Sequence, residues 1–194
     1  MYKSKTLKAI EPQKYLITSA KFCIDTPDIF KNILHNQFLK HKPNYALYRD
    51  KSNKDYALGA SSFMDVCRDF KTVKSFIHQH VDLAKELNAT GVHLTSTQFD
   101  RILDAKKSDL EVIISTHTFE EVLLAQELGA DAVTYSPIFA SPDKGEPKGV
   151  EELKELLEIC SIPVFALGGI VKTLHVDMIG QTKAYGFASI RYFK

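Results

Sequence analysis

Tryptophan is absent, and only three cysteines, nine glycines and seven prolines occur among 194 residues. Without indole rings, the large aromatic volume of a core must come from twelve phenylalanines and eight tyrosines. Cys23, Cys67 and Cys160 lie far apart in sequence. That spacing suits reduced, core-packed thiols in a cytoplasmic protein better than a disulfide frame or a zinc site. An excess of one charge is also missing: 25 Lys and Arg against 24 Asp and Glu leave a formal +1. This excludes bulk attraction to nucleic acid or to an anionic membrane, so any anion binding must be local. No stretch approaches the roughly 18 apolar residues of a membrane span. The opening "MYKSKTLKAIEPQKY" holds no apolar run of signal-peptide length. A soluble protein is expected, without membrane or nucleic-acid partners. No composition break or low-complexity linker divides the chain, which predicts one domain over residues 1–194.

What is present is a rhythm. Eight short apolar runs rich in β-formers recur at 15–19, 45–49, 73–78, 91–95, 112–116, 131–136, 163–169 and 185–190. They lack clean alternation, as strands buried on both faces do. Helical patterns separate them. One opens at Pro27 after Thr26, with Ile29, Ile33, Leu34 and Phe38 on one face. Another carries a capping box, Thr118 with Glu121, a packing face of Val122, Leu123, Ala125 and Leu128, and a closing Gly129. A third offers Leu153, Leu156, Leu157 and Cys160 before Pro163. Eight strand–helix units predict an α/β fold, a parallel (β/α)8 TIM barrel, with an open doubly wound sheet as the competing architecture. The sequence reaches Lys194 just past the eighth strand, so the last helix is expected to be missing. An N-terminal segment such as "KSKTLKAIEP" or the partner in a homodimer would cover the gap.

In such a barrel, chemistry sits on the loops after the strands, where helix N-termini point their amides. The segment "YSPIFASPDKGEPKG" at 135–149 follows the sixth strand and offers Ser141 and Lys144; a solvated lysine-rich turn is the plain alternative. Gly168 and Gly169 follow the seventh strand, where the lack of Cβ atoms lets backbone approach an anion, or simply makes a tight turn. Arg191 follows the eighth strand; Arg49 and Lys51 end the second. Cations on several loops of one rim describe a polyanion site. Among the histidines, His78 and His80 form a His-x-His pair that invites metal, but no third ligand accompanies it in sequence. His78, His80 and His117 can each shuttle a proton near neutral pH.

The stretches "GVHLT", "VIISTHTFEEVLLAQELGADAVTYSPIFASPDKGEPKG" and "IPVFALGGI" resemble the thiamine phosphate synthase and thiazole tautomerase superfamily, on the synthase side. The resemblance implies a barrel that binds a thiazole phosphate near the last two loops. The synthase branch joins it to hydroxymethylpyrimidine diphosphate, releasing pyrophosphate with Mg2+ and basic side chains at the leaving group. On that resemblance Arg49, Lys51 and Lys144 are the catalytic cations. Arg49 and Lys51 match the Gln-x-Arg-x-Lys motif, with Leu47 in place of its glutamine. Ser141 and Lys144 match the Thr-x-Thr-Lys loop, with Asp143 in place of its second threonine. His78, Ser115, Ser141, Gly168, Gly169, Ile190 and Arg191 are the implied substrate-binding residues. Ile190 and Arg191 take the place of a Val-Ser or Ile-Ser pair. The family's metal-binding aspartates fall on Gln79 and Gln98, and a neutral amide is a poor ligand for a hard dication. A weak or absent Mg2+ site is therefore expected. The tautomerase histidine falls on Pro137, which carries no proton. Three functions follow as expectations: a divergent synthase working with cations in place of metal, a non-catalytic binder of thiazole phosphate or thiamine phosphate, and a tautomerase with a relocated base.

Overall fold

The computed structural model describes residues 11–20, 26–142 and 144–194. Eight parallel strands close into a barrel in sequence order, β1 pairing with both β2 and β8. The strands are β1 (Gln13–Ile17), β2 (Tyr45–Tyr48), β3 (Lys74–His78), β4 (Gly91–Leu94), β5 (Glu111–Thr116), β6 (Ala132–Tyr135), β7 (Val164–Leu167) and β8 (Gly186–Ser189). Seven α-helices alternate with them: α1 (Pro27–His41), α2 (Tyr56–Asp69), α3 (Val81–Glu86), α4 (Ile102–Lys107), α5 (Phe119–Glu127), α6 (Gly149–Ile159) and α7 (Thr173–Gly180). Closure rules out the open doubly wound sheet. No helix among the described residues is long and apolar enough to cross a membrane.

Local signals account for the helix ends. The Thr26 hydroxyl accepts from the Ile29 amide and Pro27 occupies the first turn of α1. In α5, Thr118 Oγ1 accepts from the Glu121 amide while Glu121 Oε2 accepts from the His117 amide at 2.5 Å. Gly129, at φ +83°, ends that helix. Two packing faces differ from expectation. Ile29 is 44% exposed and Leu123 38% exposed, because α1 buries the i, i+4, i+8 stripe Phe30, Leu34 and Phe38, and α5 turns Val122 and Ala125 inward.

The barrel interior has two levels. Its lower part is plugged by rings: Tyr15, Tyr45, Phe76 and Phe165 pack with centroids 5.0–6.0 Å apart. Above the plug, the inward positions turn polar toward the C-terminal strand ends, at His78, His93 and Ser115. Large rings fill the base, leaving an opening at the top.

No helix follows β8 among the described residues. Instead the chain turns back, and Phe193 stacks on Phe187 at 5.7 Å with an interplanar angle of 6° and meets the His41 ring of α1 edge-on at 5.4 Å. Phe193 is fully buried. The "KSKTLKAIEP" segment expected to cover this side lies, up to residue 10, outside the described residues, as does Cys23.

Candidate active site

A cavity of about 670 Å3 opens at the C-terminal ends of the strands. All ten residues expected at the site from sequence line it: Arg49, Lys51, His78, Ser115, Ser141, Lys144, Gly168, Gly169, Ile190 and Arg191. Barrel closure brings them together from the ends of six different strands.

At the floor, a chain of hydrogen bonds spans three strands. Burial raises the Tyr15 phenol well above its ordinary value, so it stays protonated, and its oxygen shares a hydrogen bond with His93 Nδ1 at 2.8 Å. His93 Nε2 in turn shares a hydrogen bond with Ser115 Oγ at 3.0 Å. Burial, followed by the charges of His78 and Arg49, lowers the His93 pKa well below 6.5, which keeps the ring neutral. His78 is held down to about 3 by burial first, then by Arg49, Lys51 and His80. His80 turns away, its ring 4.8 Å from that of Tyr56, so the His-x-His pair does not converge on one ligand.

Arg49 is positioned through its backbone. Its amide donates to Thr18 Oγ1 at 2.9 Å, and Thr18 is fully buried at the end of β1. Burial lowers the guanidinium's pKa from its ordinary value, opposed by Tyr56 and Asp50, yet a guanidinium remains charged. Lys51, Lys144, Arg191 and Lys194 complete five cations on the cavity wall. Among the described residues, Arg49, Lys51, Lys144 and Arg191 make no salt bridge, and no Asp or Glu side chain lines the cavity. The nearby Asp50 carboxylate serves its own loop: Oδ1 accepts from the Ser52 amide and hydroxyl, both at 2.9 Å, and from the Asn53 amide at 3.2 Å. Asp143 lies outside the described residues.

The glycine pair does more than expected. Gly168 and Gly169 have φ of +97° and +70°. A Cβ on Gly169 would stand 2.4 Å from the Phe139 carbonyl oxygen, and one on Gly168 2.8 Å from Pro137 Cα. The segment after β6 docks here, the Phe139 amide donating to the Gly168 carbonyl at 3.1 Å and the Ile138 amide to that of Leu167 at 2.9 Å. Both glycines are thus required by loop-on-loop packing. The base of the 140–149 loop is fixed at its other end, where the amides of Lys148 and Gly149 donate to the carbonyls of Pro137 and Ile138.

Gln79 and Gln98 do not line the cavity. Gln98 Nε2 donates to the Gln79 carbonyl, and its Oε1 accepts from the Thr95 amide and hydroxyl. The described residues also hold no group of three His, Cys, Asp or Glu able to share a metal ion. This donor set does not fit Mg2+, which takes carboxylate and phosphate oxygens.

Sequence reading missed Lys194, and it missed Ser136, whose carbonyl lies 3.1 Å from His117 Nδ1. Lys194 carries no motif, and only the burial of Phe193 brings it to the rim. Ser136 is signalled only by its place beside Pro137.

A profile of the thiamine monophosphate synthase family (TMP-TENI) matches residues 14–193. The chain belongs to this family. A protein of Aquifex aeolicus, provisionally named thiamine-phosphate synthase 2, is 31% identical over 189 residues, covering 94% of this chain and 97% of its own. The thiamine-phosphate synthase of Fusobacterium nucleatum is 30% identical over 162 residues, 80% of this chain and 77% of its own. Among solved structures, thiamine phosphate pyrophosphorylase from Pyrococcus furiosus superposes with a TM-score of 0.78 at 24% identity, covering 94% of this chain and 87% of that one, a likeness of fold. The cavity of this chain carries five cationic side chains and, among the described residues, no Asp or Glu side chain.

Proposed function

We propose that this member of the thiamine monophosphate synthase family acts in thiamine biosynthesis as a transferase, joining hydroxymethylpyrimidine diphosphate to thiazole phosphate. The carbon–oxygen bond to the diphosphate breaks with its electron pair leaving on oxygen, and the thiazole nitrogen supplies the pair for the new bond. Little acid–base work is needed if the departing charge is neutralised in place. Arg49, Lys51 and Lys144 take that role. Arg191 with the Gly168–Gly169 turn receives the thiazole phosphate, while His78, Ser115, Ser141 and Ile190 shape the space between. The observation that supports this reading is the convergence of five cationic side chains on one wall that, among the described residues, holds no Asp or Glu.

The test is pyrophosphate release from the two substrates, with Arg49→Ala and Lys144→Ala as controls. Release that depends on both side chains is expected, and no release from folded protein would remove the transferase. A second reading, a binder without turnover, is favoured by the Gln79–Gln98 tie at the positions aligned with metal carboxylates. It is distinguished by calorimetric binding of thiazole phosphate or thiamine phosphate with no pyrophosphate formed. The widely separated thiols, of which Cys67 is buried and free, suit a reducing cytoplasm. A homodimer belongs to the reading as well; gel filtration showing monomer alone would remove that part.

A further inference from the structure

We infer that the cavity is a site for uncomplexed diphosphate, and that Mg2+ competes with the protein for this ligand instead of joining it. The inference rests on the cavity being a phosphorylated-ligand site, as proposed above, and adds how charge is balanced there. Arg49, Lys51, Lys144 and Arg191 share the wall, and no Asp or Glu among the described residues lines it. Asp50, which stands between Arg49 and Lys51 in sequence, has its Oδ1 turned to the Ser52 and Asn53 amides. A dication entering here meets like charges, with neither of its preferred protein ligands to offset the loss of its waters. A bare diphosphate meets several donors for its oxygens at once, and charge-assisted hydrogen bonds of this kind are the stronger class. Magnesium bound to the same oxygens cancels two of the ligand's charges and occupies the atoms the guanidinium and ammonium groups would take. The two modes exclude each other.

Titration calorimetry of sodium pyrophosphate into the full chain tests this, once in EDTA and once with excess MgCl2 at matched ionic strength. Binding in EDTA is expected, weaker by about tenfold or more for the magnesium complex. Arg191→Ser, at an exposed position, is expected to weaken metal-free binding by about tenfold while leaving thermal unfolding unchanged. Equal or tighter affinity in Mg2+, or no binding in EDTA, would overturn the inference. Thiazole phosphate titrated in EDTA separates the two levels. If it binds while pyrophosphate needs Mg2+, the function stands and the charge inference falls; if it gives no heat under either condition, the functional reading falls instead.

Discussion

Gln98 donates from Nε2 to the carbonyl of Gln79 at 3.4 Å, while its Oε1 accepts from the Thr95 amide and hydroxyl, each at 3.1 Å. Gln98 therefore ties the loops after β3 and β4 together. Millimolar Mg2+ is expected to leave the Tm of the free protein unchanged, since a ligand stabilises only by binding the folded state. In the Gln79→Asp, Gln98→Asp double variant, loss of the tie costs about 1 kcal/mol in EDTA, and Mg2+ then raises the Tm. Differential scanning calorimetry checks both arms. A Tm that rises with Mg2+ in the unaltered protein would contradict the reading of this loop pair.

Acid should destabilise the fold through its buried histidines. His78 is held at about 3, against an ordinary 6.5, by burial and by the Arg49, Lys51 and His80 charges. His93 is shifted in the same direction by burial, His78 and Arg49. His41 is also lowered, by burial and then by Lys40 and Lys14. Above the unfolded value these rings are neutral in both states and cost nothing. As pH falls below about 6.5, the unfolded chain takes up protons that the folded chain refuses, so stability falls. For His78 the loss continues to about 3. Each fully refused proton contributes up to about 1.4 kcal/mol per pH unit. Urea unfolding at pH 7.5 and 5.5 measures the slope, and His78→Gln should flatten it. An unchanged slope in that variant would place the acid sensitivity elsewhere.

The Gly169 position admits no side chain without moving the loop after β6. Its φ of +70° disfavours L-residues, and a Cβ would meet the Phe139 carbonyl oxygen at 2.4 Å. Gly169→Ala is expected to lower stability by about 1–2 kcal/mol from the backbone conformation alone, with the displacement of the 137–140 segment adding to it. Because that segment leads into Ser141 and Lys144, thiazole phosphate affinity should fall together with stability. Urea unfolding and calorimetry on the same preparation test the pairing. Unchanged stability would mean that the two loops are not held together by close backbone approach.

Much of this was readable from the chain, and the failures are instructive. The eight strands were legible because short runs such as 112–116 are apolar on both faces, and β5 falls at Glu111–Thr116. β1 was read at 15–19 and is Gln13–Ile17, since Gln13 and Lys14 look like loop residues yet pair with Gly186 and Phe187. In α1, the pairs 29–30 and 33–34 offer two adjacent apolar stripes, and only contact with the barrel selects Phe30 over Ile29. The cavity cations were legible as residues on loops after strands, a place fixed by topology. The Tyr15–His93–Ser115 chain was not. Tyr15 and His93 are 78 residues apart, and their meeting across the barrel interior depends on strand register and ring size together.

Phe193 is fully buried against Phe187 on the outer face of β8. Phe187 points outward from β8, and an outward ring on a barrel strand needs a partner to exclude water. Phe193 supplies that partner by stacking on it, with the edge-on contact to His41 closing the layer against α1. Phe193→Ala removes a fully buried ring and leaves a void between a strand and a helix that cannot both collapse into it, at a cost of about 3–5 kcal/mol. Phe193→Leu should recover much of that loss, since most of the apolar volume is kept. Urea midpoints at constant m-value report the change as one of stability. A loss below about 1 kcal/mol for the alanine variant would place the site with ordinary surface substitutions and show that Phe193 does not cover the outer face of β8.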